Sequence, residues 1–284
     1  MSKMGKWYNK IFIGDPNKED YSAKDLPKTR LDQFWDVLRL RFSGLLTGNL
    51  LYTLFALPLV LFATYYWFAI GQMDADKLNE NLFSENSTVL SFLLICIPLY
   101  TLMGPAKAGL HYCLRNWCWN ERATIREHFW KEFKRSWKQA CLLNFINALA
   151  LYATAFWVLF LILNQDKYPV FRFLAIAIVV LASFYFMTTI YHFPQLVTYN
   201  LKLKQIYKNA VIYTVAQMPR TLLAVAIYLV LAALCFFLSQ VFVVVFLTLG
   251  MSVVFLGQTV YSQFLFDKYV NPDDKKRKGM APLE

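Results

Sequence analysis

Long apolar runs alternate with short polar ones along this chain, and the alternation predicts helices that cross a membrane. Apolar blocks with few charges lie at about 44–70, 88–110, 140–163, 170–193, 221–238 and 241–266. At 1.5 Å per residue, a stretch of about 20 residues covers a hydrocarbon layer roughly 30 Å thick. Each block is read as one transmembrane helix, so the expected fold is all-α, a polytopic bundle of six spans. Residues 1–43 form a polar arm and 267–284 a charged tail. Within the arm, Thr29 with Asp32 marks a helix start. Leu31, Phe34, Trp35, Leu38 and Phe42 follow at helical spacing. That amphipathic helix either lies along the membrane surface or packs on the rest of the protein.

Between the second and third blocks the pattern changes. Thr124 and Glu127 have capping-box spacing, and Phe129, Trp130, Phe133 and Trp137 line one side of a helix. Lys131, Lys134, Arg135 and Lys138 spread over the rest. A weaker copy follows the fourth block, where Tyr207-Lys208-Asn209-Ala210 echoes Trp137-Lys138-Gln139-Ala140. Two readings stand: an internal pseudo-repeat of span, surface helix and span, or the common tendency of loops facing the cytoplasm to gather Lys and aromatics. Pro98, Gly104, Pro105, Pro194 and Pro219 are the expected breaks or hinges, because proline removes a helix hydrogen bond.

Composition agrees: 58% of residues are hydrophobic, 18% aromatic and 17% charged, against roughly 25% charged in soluble domains. The net charge of +11 changes the picture only through its distribution. Of 29 Lys and Arg, the polar arm, the two basic pieces and the tail hold 26, and the opposite loops hold Lys77, Lys167 and Arg172. That asymmetry predicts cytoplasmic N- and C-termini and basic faces set against anionic headgroups, with no need for nucleic acid. No signal peptide is expected, since the first apolar block starts behind a long polar arm.

Chemistry is sparse. The five cysteines (Cys96, Cys113, Cys118, Cys141, Cys235) contain no CxxC pair and read as apolar packers. His111, His128 and His192 lack metal-ligand spacing, and no nucleophile elbow, phosphate loop or Walker motif occurs. An enzyme is therefore not expected, nor a cofactor or metal. Lys107 is read as snorkelling to the interface. The intramembrane polar set is Asn49, Asn144, Asn147 and Gln258. Asn144 and Asn147, one turn apart, either hydrogen-bond between helices, the preferred reading, or line a polar cavity.

Gly104-Pro105-Ala106, Ala108-Gly109-Leu110, Tyr112, Leu114-Arg115-Asn116-Trp117, Phe129-Trp130, Phe133-Lys134 and Trp137-Lys138-Gln139 together resemble the YesL-like family of bacterial membrane proteins, a domain of unknown function. Phe193-Pro194 and Tyr207-Lys208-Asn209-Ala210 also fit, so the resemblance runs over roughly residues 40–266. It implies a Gram-positive cell membrane and a genomic link to carbohydrate use beside sugar ABC importers. With that context, the expected role is an accessory subunit docking an importer permease or ATPase. Its contact surface would be Phe129, Trp130, Phe133, Lys134, Trp137, Lys138, Tyr207 and Lys208, facing a partner or lipid. The alternatives are a self-contained carrier or channel for a small neutral solute, and a scaffold or regulator of sugar utilisation.

Overall fold

A computed structural model describes residues 27, 29–71, 88–121, 123–237 and 246–270. Most of the polar arm, the 72–87 loop, the turn at Ser239-Gln240 with the start of the expected sixth span, and the tail from 271 lie outside them. Among the described residues the chain is helical throughout, without strands. Four helices are long and apolar enough to cross a membrane, or six if each of two bent pairs is one crossing, the number expected from the sequence.

Helix α1 spans Arg30–Leu40. Thr29 caps it as expected: the Thr29 hydroxyl accepts from the Asp32 amide at 3.1 Å, and the Asp32 carboxylate accepts from the Thr29 amide at 3.0 Å. Gln33 and Val37 are buried, and Phe34 and Leu38 pack on the core, while Leu31 and Trp35 remain exposed. The packing reading therefore holds for one edge of this helix, and the other edge faces outward.

Helix α2 (Phe42–Gly71) runs 30 residues, about 45 Å, and continues through Pro58. Helix α3 (Thr88–Leu102) likewise continues through Pro98, so Pro98 is not the break. The break comes at Met103, where α3 meets α4 (Gly104–Cys118) at 47°. Pro105 sits in the first turn of α4, where its missing N–H costs nothing. The second span was expected to end near residue 110; instead α4 carries on to Cys118 as the buried centre of the molecule. Every α4 residue is buried except Lys107, Tyr112 and Arg115. Asn120, with φ of 56°, turns the chain just past it in a conformation Asn tolerates.

A π-turn (Ile125–Phe129) leads into α5 (Trp130–Leu163). Together they form a continuous helix of 39 residues, about 58 Å long. The basic piece expected as a separate surface helix is the first third of this rod. No proline or glycine interrupts 125–163, which removes the usual cause of a bend. Close packing of α4 on α5 requires two glycines. A Cβ at Gly104 would stand 2.3 Å from the Ala140 carbonyl oxygen, and one at Gly109 would stand 2.8 Å from that of Phe129.

Helix α6 (Val170–Thr188) tightens to a 3₁₀ turn (Thr189–Tyr191) and continues as α7 (His192–Thr198), with Pro194 in its first turn. The whole stretch 170–198 counts as one candidate span, so Pro194 marks a tightening rather than a sharp bend. Helix α8 (Leu203–Ala216) meets α9 (Met218–Phe237) at 99°, with Pro219 just past the corner at Gln217. A second π-turn (Phe246–Gly250) opens α10 (Met251–Tyr269). The two proposed repeat units thus differ: the first basic helix is collinear with its span, the second nearly perpendicular. Their local echo survives where Ala140 and Ala210 are both fully buried.

Candidate functional site

Lys107 and His111 are four residues apart and so share one face of α4. The Lys107 side chain is half-buried and lies over two aromatic rings. Its Nζ lies 4.6 Å from the Phe193 ring centre and 5.1 Å from that of Phe255, joining α4 to α7 and α10. Lys107 forms no ion pair among the described residues. An ammonium withdrawn from water costs free energy unless it finds compensating contacts. Desolvated contacts with ring faces, about 2 kcal/mol each, offset much of that.

His111 continues the assembly, with its ring centre 5.9 Å from that of Phe193 and 4.9 Å from that of Phe255. The Thr259 hydroxyl donates to the Phe255 carbonyl at 2.8 Å and lies 3.0 Å from His111 Nδ1. Its single proton being used there, Nδ1 must be the donor to Thr259, which leaves the buried Nε2 as an acceptor without a partner. His192 packs edge-on against Tyr207, ring centres 4.5 Å apart.

Beside Lys107 lies a cavity of about 380 Å³. Phe92, Cys96 and Tyr100 line it at intervals of four along one face of α3, with Leu59 of α2, Asn147 of α5 and Thr189 opposite. Among the described residues that line it, Lys107 alone is charged.

The expected polar residues fall into distinct places. Asn144 donates to the Tyr100 carbonyl of α3 at 2.9 Å, and the Asn147 carbonyl accepts from the Tyr185 hydroxyl of α6 at 2.8 Å. Both therefore bridge helices, and Asn147 also lines the cavity, so the two readings coexist there. Asn49 accepts from the Ser252 amide at 2.7 Å, tying α2 to the start of α10. Gln258 is half-buried on α10.

The expected contact surface is only partly a surface. Phe129 is fully buried against Gly109. Trp130 and Phe133 are half-buried against Phe55, with ring centres 6.1 and 5.0 Å away. Tyr207 is half-buried beside Tyr185 and His192. These four belong to the packing of α5 and α8. Lys134, Trp137, Lys138 and Lys208 are exposed, Trp137 by 52%. Glu132, not singled out from the sequence, is buried on the inner face of the same turns. It accepts from Ser136 and lies 3.7 Å from Arg135.

On the face where α1 and α10 meet, Arg30 pairs with Asp267 and donates to Gln33, and Gln33 in turn donates to the Cys118 carbonyl. Burial pushes the Arg30 guanidinium pKa down from its ordinary value; Asp267 supplies the countercharge that burial demands. Arg115 lies between Tyr112 and Trp119, 4.4 and 4.6 Å from their ring centres, and donates to the Val197 carbonyl. Among the described residues no three His, Cys, Asp or Glu side chains cluster for a metal.

The sequence signal that could have found the Lys107 site is the Lys107–His111 pair at i, i+4 in the glycine-bearing first half of α4. Sequence reading placed it at the interface because the span was expected to end at residue 110.

The apolar helices place the molecule in a lipid bilayer as a multi-pass protein. No curated protein and no solved structure matches the chain. Residues 45–158, less than half the chain but including α3, α4 and most of α5, match the family described as a protein of unknown function, DUF624, and the YesL-like proteins that the sequence resembles belong to that family.

Proposed function

We propose that this protein is a non-enzymatic accessory subunit in a bacterial cell membrane, with both termini cytoplasmic, that serves carbohydrate uptake by docking on a sugar ABC importer. The observation that carries the docking reading is the basic end of α5. A rod of about 58 Å exceeds a hydrocarbon layer of about 30 Å, so part of it stands clear of the bilayer. The charge-free stretch 139–163 suffices to cross, which leaves the Lys134, Trp137 and Lys138 turns outside. Exposed cations beside a half-exposed tryptophan suit an acidic, partly apolar partner surface. The sugar importer as partner rests on the genomic context that the YesL-like resemblance implies.

The test is affinity purification of the full chain in mild detergent, with identification of what is recovered. Lys134→Glu with Lys138→Glu should reduce recovery of importer subunits at least fivefold while membrane insertion is unchanged. Equal recovery from both forms would refute the docking surface. Recovery of a regulatory protein instead of a permease or ATPase would favour the scaffold reading.

A second reading, a carrier in its own right, is favoured by the cavity between α2, α3, α5 and α6. Lys107 in its wall argues against a neutral solute.

A further inference from the structure

The cavity beside Lys107 has a chemistry that docking does not use. Its walls are mostly hydrocarbon and aromatic: Leu59, Phe92, Ile97, Leu151 and Phe186. A neutral sugar would need a ring of donors and acceptors that such walls do not offer. The one charge among its described lining residues is Lys107, whose Nζ lies over the Phe193 and Phe255 rings and has no carboxylate partner among the described residues. None of the described lining residues is acidic. A cation set against apolar walls without a counter-ion among the described residues is half of an ion pair. The volume of about 380 Å³ holds about a dozen non-hydrogen atoms at the roughly 30 Å³ that each water takes in the liquid.

We propose that this cavity binds a small amphiphile with an apolar chain and one anionic head, carboxylate or phosphate. The head pairs with Lys107, and the side-chain amide N–H of Asn147 stands near as a donor. The chain lies along the Phe92–Cys96–Tyr100 face of α3. This inference is independent of importer docking, since it involves none of the residues of the exposed basic turns.

The test uses the full chain in nanodiscs of zwitterionic lipid, with empty nanodiscs subtracted. Radiolabelled decanoate should bind saturably, one per chain. Decyl phosphate or unlabelled decanoate should displace it at least tenfold better than decanol, which has the same chain without the charge. Whichever of the two anions competes better identifies the head as carboxylate or phosphate. Lys107→Met should weaken decanoate binding at least tenfold and abolish the preference over decanol. Ala148→Trp fills the cavity without touching the cation and should abolish binding of all three. Equal competition by decanol, unchanged decanoate binding in Lys107→Met, or retained binding in Ala148→Trp would each overturn the proposal. Should Lys107→Met fail to insert, the decanol comparison and Ala148→Trp decide.

Discussion

Phe129 and Trp137 occupy the same helix two turns apart, and their environments differ completely. Phe129 is enclosed by α4, where its ring lies 3.0 Å from the position a Gly109 Cβ would take. Truncating such a side chain loses its transfer energy and leaves a hole, so Phe129→Ala should destabilise the protein by about 3–5 kcal/mol. Trp137→Ala should change stability by no more than about 0.5 kcal/mol. Thermal inactivation in a mild detergent checks both; similar losses for the two would mean that the aromatic row of α5 packs as a single face. The sequence shows four aromatics at helical spacing, and spacing alone cannot say which of them a neighbouring helix will cover. For a related reason spacing did not reveal that the Lys107 Nζ lies over the Phe193 and Phe255 rings: a lysine near an assumed helix end is normally free to reach water, and here the helix continues to Cys118.

The decisive element is the α4–α5 pair. The sequence shows its ingredients, Gly104-Pro105 and the basic aromatic run, and predicts a span ending near residue 110 followed by a separate surface helix, where the chain builds a buried helix against a continuous rod. The apolar pattern was legible because hydrophobic blocks register burial in lipid and in protein alike. For that same reason it could not separate an α4 buried by protein from a span buried by lipid. Gly104→Ala tests the pair. An added methyl gains about 1 kcal/mol of helix propensity. It also meets backbone at Ala140 that cannot swing away, an overpacking cost of about 1–3 kcal/mol or more. The net effect should be a lowered Tm. Gly257→Ala on α10 is the control, because a Cβ there meets nothing within 4 Å; it should be neutral or stabilising by up to about 1 kcal/mol. A Gly104→Ala protein as stable as Gly257→Ala would mean the helices can separate without loss.

At the scale of the whole molecule, the all-helical, multi-spanning pattern and the charge asymmetry were legible early. The bends at Met103 and Gln217 were marked by glycine or proline, although Pro58 and Pro98 show that a proline inside an apolar helix need not bend it sharply. Removing Lys107 from the basic tally leaves the bias almost untouched. Cytoplasmic termini therefore remain the expectation, checked by single cysteines in a background lacking native thiols. A thiol at 134 should react with a membrane-impermeant maleimide only in inverted vesicles, and one at 168, in the turn between α5 and α6, only in intact cells. Labelling of both positions from one side would contradict the arrangement.

The Arg30–Asp267 pair joins the beginning of the first described helix to the end of the last, 237 positions along the chain. During synthesis the Arg30 side chain must wait, without its counter-ion, until almost the entire protein has emerged. Until then α1 is held by Val37 with its apolar neighbours and by the Gln33 bond to the Cys118 carbonyl. A chain cut short before residue 267 therefore leaves the partly buried Arg30 guanidinium with Gln33 as a partner and no countercharge.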